Sequence, residues 1–387
     1  MNRRIAITIF GTLLSFLLPA QTSSPNLQTI SIDKNDDFTG FDLLDIADEQ
    51  LFVMAEHWHN IKSVPRTTMK LLRYLHQNAN VRILAIEQGA SVAFMINQYL
   101  SSGDTTMLRD ISRNTMFWGK ENYAFFEDLR EFNLSIPEEE RIIVRSIDIE
   151  YKMESAIYVL NQMTEGKTIP AELEPTIGEF QWMYNQTKEH RESYQGLAVM
   201  FYYNKENVTE LVKRTLFAMR DDPSPYQSFF GTSYEQFSTM MQDMADGLYF
   251  DYTNPNTKYK FRDRLIHSKF IDLINENPDT GILCVIGERH ALKSSSIGKL
   301  KFSETSPLKG QVMNIRVSAL FNGSFLSSDI RRIHFSNPNV LKFHRATLIK
   351  HVANDPSLKT KKGFDYSLFI NEDGMLTRFD NVYEGEY

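Results

Sequence analysis

Three apolar runs, each closing on an acid or a histidine, constrain this chain more than any other feature. Leu51-Phe-Val-Met-Ala55 leads into Glu56-His57-Trp58-His59, Val81-Arg-Ile-Leu-Ala-Ile86 into Glu87, and Gly281-Ile-Leu-Cys-Val-Ile286 into Gly287-Glu288-Arg289-His290. Runs of this length and composition read as strands. In an open α/β sheet, ligands bind outside the carboxyl ends of the strands, where loops converge on a rigid frame. The three endings therefore predict one site built from Glu56, His59, Glu87 and His290.

The spacing of the runs predicts the architecture. From Asp48 to Asp148, run 51–55, a helical stretch over 65–77, run 81–86, helices across 91–133 and run 142–147 alternate, which implies parallel pairing through crossovers. Between about 153 and 277 strand signals vanish, and apolar residues recur at three- and four-residue spacing. The expected fold is α/β, a mainly parallel central sheet flanked by helices, with a long helical insertion between the third and fourth core strands. The aromatic and methionine residues crowding that insertion, Phe180, Trp182, Tyr184 and Met240 among them, read as helix–helix core or as the wall of an apolar pocket. Two later runs, 311–320 and 365–370, return to strand-like patterning.

The N-terminus stands apart. Asn2-Arg3-Arg4, an apolar run from Ile5 to Leu18 and Pro19-Ala20-Gln21 have the layout of a signal peptide over 1–20. A polar tether over 21–40 and a single domain over 41–387 are expected after it, in a periplasmic or secreted protein with no stable membrane insertion once the signal is removed. The lone cysteine, Cys284, rules out a disulfide framework. With 42 basic against 49 acidic residues, and no basic stripe, nucleic acid is not expected as a partner.

The residue types suggest acid–base chemistry. In Glu56-x-x-His59 a carboxylate can accept the ring N–H, fix its tautomer and raise its basicity towards water. Glu87, at the end of a buried strand, needs a proton, a partner or a cation, unless it caps the helix that Gln88-Gly89-Ala90-Ser91 could begin. Asp148 has the same ambiguity and leans towards a structural role. Two mechanisms stay open: His59 deprotonates water while His290 and loop N–H groups serve the oxyanion or leaving group, or all four residues ligate a divalent metal. No Gly-x-Ser-x-Gly elbow occurs, which disfavours a serine nucleophile.

The order of elements resembles the erythromycin esterase family. The likeness runs through Ala55-Glu56-His-Trp-His59, Leu71-Leu-Arg-Tyr-Leu75, Ile83-Leu-Ala-Ile-Glu87, Asn97-Gln-Tyr-Leu100 with Gly103-Asp104, Trp118 with Glu121, Leu129-Arg-Glu-Phe-Asn133, Ile147-Asp148, Arg262-Asp263, and His290 with Gly298-Lys-Leu300. It implies hydrolysis of an ester, lactone or related carbonyl bond of a small molecule, with Glu56, His59, Glu87 and His290 in the catalytic positions and no cofactor required. His57, Arg66, Trp118, Glu121 and Glu288 are the expected substrate contacts. The sequence departs from the family pattern at Ala55, Asn60, Thr68 and Gly287, where the family has glycine, glycine, arginine and a further histidine; Lys62 or Arg66 could stand in for the arginine. The Gly-x-x-His ending also resembles TIKI-like metalloproteases and ChaN-like haem-binding lipoproteins, which imply a divalent metal or haem at the same residues.

Overall fold

The computed structural model describes residues 26–33, 37–57, 59, 61–114, 119–185, 205–321, 324–325, 346–350 and 363–371. The signal-peptide expectation and Trp118 lie outside them. Nine described strands form one sheet in the order β1-β8-β9-β6-β2-β5-β3-β4, with β7 paired to β6. They are β1 Leu27–Ile30, β2 Leu51–Glu56, β3 Val81–Ile86, β4 Ile143–Ser146, β5 Gly281–Gly287, β6 Val312–Phe321, β7 Ser324–Phe325, β8 Ala346–Lys350 and β9 Tyr366–Asn371. The six from β9 to β4 are mutually parallel, while β8 and β1 add antiparallel.

β2 and β5 read as continuous apolar runs because both faces of the sheet are covered. Phe52, Met54, Leu84 and Ile86 face one core, and Leu51, Val53, Ala55, Ile282, Cys284 and Ile286 face the other. Helices α1 Val64–Ala79, α2 Ala90–Ser102 and α4 Lys120–Ser135 contribute to the first core, with α3 Thr105–Asn114 packed on α2. Between β4 and β5 the described residues are helical without a strand. They include α5 Met153–Thr164, α6 Lys205–Asp221, α7 Ser224–Phe230, α8 Tyr234–Tyr252 and α9 Pro255–Glu276. Phe180, Met240, Met241 and Met244 are buried in the first core, whereas Trp182 is exposed. None of the described residues of this region lines the cavity beside the site. α9 covers the second face through Ile266, Phe270, Leu273 and Ile274, and its N-terminal half reaches the carboxyl ends of the strands.

One expectation is corrected and one open alternative is removed. Leu27–Ile30, assigned to the tether, is strand β1, because Leu27 to Ile30 pair antiparallel with Ile349 to Ala346. Glu87 does not cap α2: Glu150 accepts from the Ser91 N–H at 2.7 Å and from its hydroxyl at 2.9 Å, and Asp243 accepts from the Ala90 N–H at 3.0 Å. That frees Glu87 to turn towards β5. The outer edge of β4 is also occupied, since the Asn97 amide accepts from Val144 N at 2.9 Å and donates to Val144 O at 2.8 Å. A side chain thus supplies the ladder bonds that an edge strand lacks.

Candidate active site

The parallel register sets the site. Glu56 on β2 stands opposite Gly287 on β5, and Ile86, the last residue of β3, stands opposite Val285, so Glu87 emerges beside Gly287. Gly287 N donates to Glu87 Oε2 at 2.6 Å. His59, in the turn after β2, meets Glu56 with Nδ1 2.8 Å from Oε2. A Cβ built on Gly287 would lie 3.2 Å from His59 Nε2 and 3.5 Å from Glu87 Oε2, so the imidazole edge and the second carboxylate converge over this glycine. Gly287→Ala should push the ring aside by a few tenths of an ångström, which a shift of the His59 imidazole resonances would report.

His290 follows β5 in a short 3₁₀ turn, Glu288–Ala291, and is buried. Its Nδ1 is 2.7 Å from Asp263 Oδ1, and its Nε2 lies 3.4 Å from Glu87 Oε1 and 3.2 Å from Arg262 Nη1. Each protonation state of Nε2 therefore has a partner: protonated, it donates to Glu87; neutral, it accepts from Arg262.

Arg262 ties the group together. Its Nε donates to Asp148 Oδ1 at 2.9 Å and Oδ2 at 3.1 Å, Nη2 donates to Asp148 as well as to Glu87 at 2.5 Å, and its guanidinium lies 4.9 Å from the centre of the Tyr151 ring. Asp148 is fully buried, as the end of β4 demands of a carboxylate with so complete a partner.

These contacts set the charges. Burial pushes the Glu56 carboxyl up against the opposing pull of His59, and the bond to Glu56 raises His59 above its ordinary 6.5 despite partial burial. For Glu87 burial acts upward and is outweighed by the His290 bond and the Arg262 charge, which hold the carboxyl at about 2. For His290 burial acts downward and is outweighed by Asp263 and Glu87, which raise it to about 9. At neutral pH the inner pair, Glu87 and His290, is carboxylate and imidazolium, and Glu56 and His59 form the outer pair.

The four expected catalytic residues thus meet at one sheet edge, and the expected contacts divide. His57 and Glu288 belong to a neighbouring network, with His57 Nδ1 2.9 Å from Glu288 Oε1 and Arg316 Nε donating to Glu288 Oε2 at 2.7 Å. Glu121 lies in the first turn of α4, beside Asn122, which lines the cavity described below. Arg66 is a correction: it is exposed on α1 and lines a separate polar cleft with Asp33, Lys70 and Arg73, because the helix turns Pro65 and Thr68 towards the site instead. Arg262 and Asp263, assigned no role from the sequence, hold Glu87, Asp148 and His290 in place.

The metal alternative does not fit this donor set. Both Glu87 oxygens, both His290 nitrogens and Glu56 Oε2 are committed to protein partners, and a guanidinium sits among them where it would repel a cation. Among the described residues no group of three or more histidine, cysteine or acidic side chains is arranged to hold a metal ion.

Beside the outer pair lies a cavity lined by Glu56, His59 and Glu87, by apolar side chains of α1, β3, α4 and β5, and by Thr68, Gln88 and Asn122.

No protein-family model and no curated protein matches the chain. Solved structures do. An erythromycin esterase, EreC, in a mutant form and open conformation superposes with a TM-score of 0.61 at 14% identity, covering 91% of this chain and 99% of that one. A Bacillus cereus protein gives 0.60 at 12%, covering 91% and 97%, and a succinoglycan biosynthesis protein gives 0.62 at 11%, covering 91% and 95%. Over 91% of its length, this chain has the fold of the erythromycin esterases.

Proposed function

We propose that the protein is a secreted hydrolase that cleaves an ester, lactone or related carbonyl bond of a small molecule with water activated at His59. The observation that carries this reading is the Glu56–His59 pair, 2.8 Å apart, with the imidazole open to solvent at the mouth of an apolar cavity. The likeness of fold to an erythromycin esterase agrees with it.

In this reading Glu56 accepts the Nδ1 proton of His59 and leaves the Nε2 lone pair for water. Nε2 takes one proton, the water oxygen bonds the carbonyl carbon, and the carbonyl oxygen becomes an oxyanion next to the imidazolium of His290. Collapse breaks the bond to the leaving oxygen, which takes the proton from His290 Nε2. Arg262 then donates to the neutral ring until solvent returns its proton, and His59 releases to solvent the proton it took from water.

The pH dependence follows with its sign. The base must be unprotonated, so kcat/KM rises with pH through the Glu56/His59 pair, above the ordinary imidazole value of 6.5. The acid must be protonated, so activity falls as His290 titrates at about 9. A profile of nitrophenyl ester or lactone hydrolysis by the full chain, from pH 5 to 10, should be bell-shaped with its maximum between those limbs. Absence of turnover across an ester, thioester and lactone panel would overturn the hydrolase reading.

A further inference from the structure

The lining of the cavity beside His59 identifies part of the substrate. Most of it is apolar, with Val64, Leu84, Phe125, Phe126 and Val285 among the walls, and 44% of the His59 side chain is exposed. Thr68 also faces it but spends its hydroxyl on the carbonyl of Val64, 2.9 Å away, and so presents a methyl-like wall. Besides the site residues Glu56, His59 and Glu87, its polar groups are the uncharged amides of Gln88 and Asn122. No lysine or arginine lines the cavity among the described residues, and two carboxylates do.

We infer that this cavity holds an uncharged aliphatic acyl chain, so that the substrate class is the ester of a medium-length fatty acid whose carbonyl rests at His59. This assignment rests on the hydrolase reading for its chemistry but not for its binding. The space open to the centre of a water molecule is about 90 Å³, and because one water takes roughly 10–15 Å³ on that measure, the cavity holds about six to nine groups of that size. A six-carbon acyl group fits with its carbonyl at the mouth; a twelve-carbon group leaves methylenes in solvent. A carboxylate at the far end of the chain is excluded, because it would share the cavity with Glu56 and Glu87 and find no counter-charge among its lining residues.

The test uses the full chain and two readouts. In turnover, p-nitrophenyl hexanoate should exceed p-nitrophenyl acetate in kcat/KM on the order of a hundredfold, from about fourfold per buried methylene. The dodecanoate should gain nothing further, and the adipate half-ester should fall below the hexanoate. Val285→Phe, which fills the cavity, should cut the hexanoate-to-acetate ratio at least tenfold. In binding, calorimetry should show hexanamide, which is not turned over on that timescale, binding wild type and His59→Ala but not Val285→Phe; Leu84→Phe serves if Val285→Phe fails to fold. Equal turnover of acetate and hexanoate, unaltered in the filled variant, overturns the chain assignment while leaving a hydrolase. Hexanamide binding without turnover of any ester keeps the assignment and removes the hydrolase.

Discussion

His59→Ala is expected to lower kcat/KM for any ester the protein hydrolyses by about 10²–10⁴-fold, the range of a positioned general base. The loss should fall on kcat, because the ring meets water and the reacting carbon rather than the bulk of the substrate. Stability should hardly change. The imidazole is nearly half exposed, and its partner Glu56, already pushed up by burial, can take a proton instead of being stranded as a charge. Glu56→Gln offers the graded comparison: it keeps a group able to accept the Nδ1 proton but removes the charge that raises His59, so the loss should be smaller and the rising limb of the pH profile should move to lower pH. Steady-state kinetics beside thermal melts check both, and an active His59→Ala enzyme would remove the base from the mechanism.

The parts of this site that are legible in the sequence are those fixed by local pattern. Glu56, Glu87 and His290 each terminate an apolar run, and parallel pairing of such runs leaves their ends no choice but to converge. His59 follows from its spacing to Glu56. What is illegible depends on distant partners. β1 and β8 are short strands whose residues gain a ladder only from each other and from β9. The α2 caps come from Glu150 and Asp243, far along the chain, so the sequence alone leaves open whether the nearby Glu87 caps that helix or joins the site. Arg66 was misplaced by helical phase alone.

Arg262 did leave a signal. It stands four residues before Ile266, which stands four before Phe270, so a cation occupies the buried stripe of α9. A charge on such a stripe requires a buried counter-charge, and the strand ends offer Asp148 and Glu87 for it. The same logic applies to Arg316, fully buried within the apolar run of β6 and paired with Glu288.

That dependence makes Arg262→Met the substitution with the largest expected cost to stability, about 3–5 kcal/mol, the usual result of stripping one partner from a buried ion network. Methionine preserves much of the aliphatic volume, so the loss is electrostatic: Asp148 stays fully buried without its guanidinium, and Glu87 keeps only His290 as a cationic partner. The pH dependence separates this cause from simple misfolding. In the wild type, Glu87 sits at about 2 against an ordinary 4.5, so its contribution is complete above 4.5 and is lost only as pH falls through about 2. In the variant the Arg262 charge no longer offsets burial at Glu87, so its carboxyl moves up from its wild-type position, and taking up protons relieves the charge left in the network. The stability difference between wild type and variant should therefore narrow as pH falls from 7.5 to 5, measured by urea unfolding at each pH. Adding Asp148→Asn to Arg262→Met should recover part of the loss at pH 7.5, because one stranded charge is then gone; a double variant no more stable than the single one would show that the network is not what Arg262 holds.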